Sequence, residues 1–176
     1  MKIYTSLLIV VFLSWQTIAQ SQPDKNNNNG YIVKVGDKAP DFKMALLSGD
    51  TISLSDLHGK IVVLQFTASW CSVCRKEMPH LEKEVWQRFK GKYFILIGVD
   101  YDEPHSKVKA FRKQMKVTYP FSLDPEAKIF SKFAYKKAGV TRNVVIDKTG
   151  TIVYLTRLFD TKEFNGMVNK IEELLQ

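Results

Sequence analysis

The chain has 176 residues, 45% of them hydrophobic and 12% aromatic, enough for one globular domain with a full-sized core. Its formal charge is +8, but Lys and Arg are interleaved with Asp and Glu, as in Lys83-Glu84 and Lys162-Glu163. That pattern describes a solvated basic surface, argues against a nucleic-acid partner, and leaves only weak attraction to acidic partners.

Residues 1–19 read as a cleavable export signal. Lys2 supplies the positive end, Ile3 to Leu13 the apolar stretch, and Thr17-Ile18-Ala19 the small residues before a cleavage point. The apolar stretch is shorter than the roughly 20 residues of a membrane span. The expected location is therefore the periplasm or another exported compartment, with membrane anchoring only if the segment stays uncleaved. It contains no cysteine for lipid attachment. Residues 20–30, with the run Asn26–Asn29, read as a disordered linker, and the domain is expected over 31–176.

Gly36 to Pro40 is a turn leading into a strand near Phe42–Leu46, and Ser48-Gly49-Asp50 turns the chain into a second strand, Thr51–Ser53. Ser55-Asp56-Leu57 is a short helical turn. Ile61 to Thr67 is a β-branched and aromatic run that reads as a buried strand. Val73, Glu77, Leu81, Val85 and Phe89 then fall at helical spacing and predict a helix over Ser72–Phe89, kinked by Pro79 and ended at Lys90-Gly91. Tyr93 to Val99 predicts a strand bounded by Asp100. Pro104 to Met115 predicts a helix with Pro104 in its first turn, and Glu126 to Tyr135 another. Asn143–Asp147 and Ile152–Thr156 predict a hairpin about Lys148-Thr149-Gly150, and Thr161 to Leu175 an amphipathic helix. This order predicts an α/β fold: a central mixed β-sheet flanked by helices on both faces, with an N-terminal β extension.

The two cysteines, Cys71 and Cys74, sit at the start of the long helix, in Trp70-Cys71-Ser72-Val73-Cys74. Unpaired N–H groups and the positive end of the helix dipole stabilise a thiolate there. Such a pair can close a disulfide and reopen it. Cys71, nearer the helix start, is expected to attack, and Cys74 to resolve the mixed disulfide. A permanent structural disulfide is the alternative in an exported chain, but a bridge across two residues closes too small a loop to stabilise much. Glu77, nearly one turn past Cys74, is placed to exchange its proton with the dithiol. The alternative for Glu77 is a surface carboxylate near a helix N-terminus.

Three stretches together carry a family resemblance: Gly36-Asp37-Lys38-Ala39-Pro40-Asp41-Phe42, then Trp70 to Pro79 read as Trp-Cys-x-x-Cys-x-x-Glu-x-Pro, then Ile146-Asp147-Lys148-Thr149-Gly150. They resemble the TlpA/ResA group of exported thiol-disulfide oxidoreductases, over about Val35 to Gln176. The resemblance implies a thioredoxin-like fold and exchange of disulfides with partner proteins through the Cys71–Cys74 pair, acting as a reductant. It implies no cofactor beyond the dithiol, transient mixed disulfides with disulfide- or dithiol-bearing proteins, and an upstream thiol reductase. It also implies proton transfer by Glu77, because the buried aspartate that thioredoxins carry six residues before the first cysteine is here Gln65, which cannot titrate. Trp70, Val140, Thr141 and Arg142 are the implied substrate contacts.

One departure stands at Thr141, where thioredoxin-like proteins place a cis-proline. A cis bond before a non-proline costs about 2.5–4 kcal/mol, so Val140–Thr141 is expected to be trans. Thr141-Arg142 is instead similar to a peroxiredoxin loop whose arginine stabilises the reactive thiolate. A thiol peroxidase is therefore the alternative function, although Thr67 stands four residues before Cys71, not three, and the motif's proline is missing. A metal-delivery module would need a histidine beside the cysteines. His58, His80 and His105 give no such spacing, and no metal is expected.

Overall fold

The computed structural model describes residues 29–176. The expected signal and most of the expected linker lie outside the described residues. The bonded domain starts slightly before Tyr31, since the Gly30 carbonyl accepts from Tyr135 N and the Asn29 carbonyl from Arg142.

One seven-stranded sheet organises the chain, in the order β2-β1-β5-β4-β3-β6-β7. Its strands are β1 (Lys43–Leu46), β2 (Thr51–Ser53), β3 (Ile61–Thr67), β4 (Phe94–Tyr101), β5 (Phe121–Asp124), β6 (Arg142–Ile146) and β7 (Ile152–Arg157). β3 runs parallel to β4 and antiparallel to β6, with Thr67 opposite Asp100 and Phe66 opposite Arg142. The C-terminal ends of β3 and β4 and the start of β6 thus meet at one edge.

All of β3 is buried, because both faces of the sheet are covered. Alternate residues divide between two cores. Val62, Leu64 and Phe66 pack with Phe42, Phe130 and Phe133, under the short 3-10 turns Ser55–Leu57, Pro125–Ala127 and Phe130–Lys132. Ile61 and Val63 face the three long helices through Met78, Leu81, Phe111, Phe164 and Ile171. Gln65 and Thr67 follow the same alternation and therefore point toward the helices.

The first long helix, α1, is α-helical over Ser72–His80, π-helical over Leu81–Trp86 and α-helical again over Gln87–Phe89. Pro79 cannot donate to the Arg75 carbonyl, and the register widens two residues beyond it, at Leu81. The other two are α2 (His105–Met115), capped by Pro104 rather than containing it, and α3 (Thr161–Leu174), whose N-cap Asp160 accepts from Glu163 N at 2.9 Å.

Three stretches differ from expectation. The helix expected over Glu126–Tyr135 is two 3-10 turns. Glu126 and Ala127 take left-handed φ values of 60° and 54°, and Asp124 spends its carboxylate on the N–H groups of Ile129 and Phe130, at 2.7 and 2.8 Å. β5 is an additional strand, too short for its periodicity to declare it. Asp100 does not bound β4 but lies inside it, fully buried. The β6–β7 turn spans five residues, with Asp147 accepting from the N–H groups of Thr149 and Thr151 and Gly150 at φ 80°. No peptide bond among the described residues is cis, that before Thr141 included.

Candidate active site

The site forms where β3 turns into α1. Cys71 is the N-cap, in extended conformation, and its Sγ accepts from Cys74 N at 3.1 Å. Capping by sulfur gives one of the free N–H groups of the first helical turn, that of Cys74, an acceptor. Cys71 and Cys74 are joined as a disulfide. Cys71 keeps 8% exposure and Cys74 none, so Cys71 is the sulfur nearer to solvent.

The loop that carries them is fixed from two sides. Ser69 donates its N–H and its hydroxyl to the Glu103 carboxylate, at 2.6 and 2.7 Å. Arg75 donates from Nε to the Ser69 carbonyl at 2.8 Å, with its guanidinium over the Phe111 ring. Burial raises the pKa of Glu103, but Lys107, at 2.6 Å, and Ser69 outweigh it and hold the group below the usual carboxylate range. Trp70 stands outside this clamp, 62% exposed, its ring edge-on to Tyr101 at 6.4 Å.

Thr141 closes the other side. Its Oγ1 lies 3.1 Å from Cys71 Sγ and 3.2 Å from Cys74 Sγ, and the residue is 2% exposed. Val140 beside it is also buried. Arg142, expected as a substrate contact, is fully buried. Its Nε donates to the Gly139 carbonyl at 2.9 Å, its Nη2 to the Asn29 carbonyl at 2.6 Å, and its guanidinium lies over the Tyr31 ring at 4.4 Å. β6 pairs on both sides, so the side chain must go either into the core or beneath the N-terminal segment. The carbonyls and the Tyr31 ring receive it there.

Glu77 is buried at 1% exposure. Its Oε1 accepts from Asn143 Nδ2 at 2.7 Å, while Oε2 has no partner among the described residues. Burial pushes its pKa up to about 7, against the lowering pull of Asn143 and Gln65. Asn143 also donates to Thr156 Oγ1 at 2.9 Å, and Gln65 accepts from the Tyr119 hydroxyl at 2.7 Å. Gly98, opposite Gln65 on β4, leaves room for the Phe121 ring stacked on Tyr119: a Cβ there would stand 2.7 Å from that ring.

Sequence reasoning passed over Asn143, Glu103 and Asp100. An asparagine heading the apolar run Val144-Val145-Ile146 was a usable signal, since a buried amide needs partners. Asp100 is fully buried with neither carboxyl oxygen hydrogen-bonded among the described residues, and burial, then the charge of Glu103, pushes it up to about 8. Of the histidines, His80 pairs with Glu84 at 2.7 Å and lies against the Phe159 ring, turned to the surface. No cluster of three or more metal-ligating side chains occurs among the described residues.

A cysteine pair capping a helix at the C-terminal edge of a thioredoxin-like sheet, with a buried carboxyl one turn on, defines a thiol-disulfide oxidoreductase. Residues 35–155 match the AhpC/TSA family model, and the chain belongs to that family. It is 36% identical over 140 residues to the thiol-disulfide oxidoreductase ResA of Bacillus cereus, covering 79% of each chain. With ResA of Geobacillus kaustophilus it shares 32% over 131 residues, 74% of each. The fold is similar to that of a candidate protein disulfide isomerase from Bacteroides thetaiotaomicron, at TM-score 0.81 and 56% identity over 83% of this chain and 92% of that one. It is also similar to a candidate thiol:disulfide interchange protein DsbE from Chlorobium tepidum, at TM-score 0.73 and 27% identity over 82% and 99%.

Proposed function

We propose that this protein is an exported reductant of disulfides in other proteins, with Cys71 as nucleophile, Cys74 as resolving thiol and Glu77 as proton acceptor. The observation that carries the reading is the N-cap sulfur of Cys71, the more accessible of the pair, with an elevated carboxyl one turn beyond Cys74. The apolar segment within residues 1–19 and the ResA relatives support export and the reducing direction.

In the first step the Cys71 thiolate attacks one sulfur of a partner disulfide. A Cys71–partner bond forms, the partner's S–S bond breaks, and its second sulfur leaves as a thiolate that takes a proton. Cys74 then gives its proton to Glu77 and attacks the Cys71 sulfur. The Cys71–Cys74 bond forms and the partner's first sulfur leaves, protonated in turn. Two electrons pass to the partner, with one proton from Cys74 and one from solvent, and an upstream thiol reductase must return the electrons. A carboxyl with a pKa of about 7 takes and releases a proton near neutral pH without a large penalty in either direction. Trp70, projecting beside Cys71, supplies an apolar contact for the incoming chain.

The peroxidase alternative draws no support from Arg142, whose Nε and Nη2 bond two backbone carbonyls and whose guanidinium lies over the Tyr31 ring. Equilibration with glutathione tests the direction. A reduction potential more negative than about −200 mV supports a reductant, and one near −120 mV reverses the assignment.

A further inference from the structure

Among the described residues the hydroxyl of Thr141 has only sulfur to bond. It is 2% exposed, and its recorded partners are Cys71 Sγ at 3.1 Å and Cys74 Sγ at 3.2 Å. A buried hydroxyl needs an acceptor for its proton, and here a single proton faces two candidate acceptors. We propose that Thr141 is a catalytic residue of the exchange reaction, its hydroxyl donating to whichever of the two sulfurs carries the negative charge. This rests on the disulfide-exchange reading above and adds to it the group that follows the charge.

The surroundings hold that oxygen in place. The Thr141 carbonyl accepts from Leu158 N at 3.0 Å. On one side of Thr141 the Gly139 carbonyl is tied to Arg142 Nε, and Arg142 itself is anchored to Asn29 and Tyr31. Arg142 is thus a positioning residue, acting through the backbone that presents Thr141. Rotation about the hydroxyl C–O bond swings the proton between the two sulfurs, which lie at nearly equal distances from the oxygen.

The sequence of charges makes use of both positions. On this reading the thiolate of the reduced protein is on Cys71, the sulfur that accepts the Cys74 N–H in the disulfide form. In the mixed disulfide Cys71 is neutral, and the charge appears on Cys74 as its proton goes to Glu77. The Cys71 sulfur then loses its second donor with no cost, and the hydroxyl turns to Cys74. No bond to Thr141 forms or breaks. A disulfide sulfur is a weak acceptor and a thiolate a strong one, because a hydrogen bond to a charged partner is about twice as strong as a neutral one. The contact therefore favours the thiolate over both the thiol and the disulfide.

Thr141→Val keeps the shape and removes the donor; Thr141→Ser keeps the donor. In the reduced protein, thiolate absorbance against pH gives the Cys71 pKa, and equilibration with glutathione gives the redox constant. Thr141→Val is expected to raise the Cys71 pKa by about one unit and to shift the equilibrium about tenfold toward the disulfide, a potential about 30 mV more negative. Thr141→Ser is expected to stay with the wild type on both readouts. Wild-type values in a folded Thr141→Val protein would overturn the proposal, as would a Thr141→Ser protein that behaves like the valine variant. Should Thr141→Val fail to fold, the wild-type Thr141 methyl resonance is followed against pH: a midpoint shared with the thiolate supports the contact, and a flat profile overturns it. Insulin reduction by the wild type, run alongside, tests the exchange reading separately, since the pKa comparison does not depend on it.

Discussion

Replacing Glu77 with glutamine removes a carboxyl that the fold holds largely neutral up to about pH 7. In the unfolded chain the group titrates near 4.5, and in the fold at about 7. Between those values the folded state binds the proton more tightly, so this group makes the protein less stable as pH rises through that window. Each unit corresponds to about 1.36 kcal/mol, so the full swing is about 3 kcal/mol. Glutamine does not titrate, keeps the shape, and can still accept from Asn143. Urea unfolding of the oxidised wild type and variant at several pH values from about 4 to about 8 yields the difference in stability. The variant is expected to gain about 3 kcal/mol on the wild type across that range, whatever the offset at the acid end. Asp100 shifts in the same direction but is present in both proteins and cancels. A difference that stays constant within about 0.5 kcal/mol would refute the claim that burial elevates this carboxyl.

Asn143→Ala deletes the donor to Glu77 and leaves the Thr156 hydroxyl without it, so a loss of about 1–3 kcal/mol in urea unfolding is expected. The pH midpoint of exchange should rise with it, because the Asn143 bond lowers the Glu77 pKa. Trp70→Ala removes a largely exposed side chain packed edge-on to Tyr101, so stability should change by about 0.5 kcal/mol or less. The KM for a protein disulfide should rise while reaction with a small disulfide persists. Asp100 is raised from 3.8 to about 8, so wild-type stability falls as pH climbs through that window. Asp100→Asn should flatten the remaining decline in unfolding experiments toward pH 8.

The parts of the fold legible in the sequence are those that depend on local pattern. The β-branched run of β3, the helical spacing after Cys71 and the amphipathic spacing of Thr161 to Leu175 each declare their element within a few residues. The cysteine pair at a helix start declares the chemistry. What the sequence hid depends on distant partners. Arg142 offers no local sign of whether it projects outward or inward, and only the pairing of β6 on both edges, with Tyr31 arriving from the far end of the chain, decides it. Thr141 was read as a substrate contact because of the proline it replaces, but its hydroxyl meets the sulfurs only through the β3–β6 register. Glu126 to Tyr135 had the apolar spacing of a helix, yet the Asp124 carboxylate captured the N–H groups that a helix would have used.

Trapping the mixed disulfide tests the division of labour between the sulfurs most directly. Cys74→Ser, reduced and then exposed to a disulfide substrate, is expected to accumulate a stable covalent adduct at Cys71 by intact mass, while Cys71→Ser, whose remaining thiol is fully buried, forms none at a comparable rate. An adduct forming as fast on Cys74 in the Cys71→Ser protein would contradict the assignment of the N-cap sulfur as the attacking one.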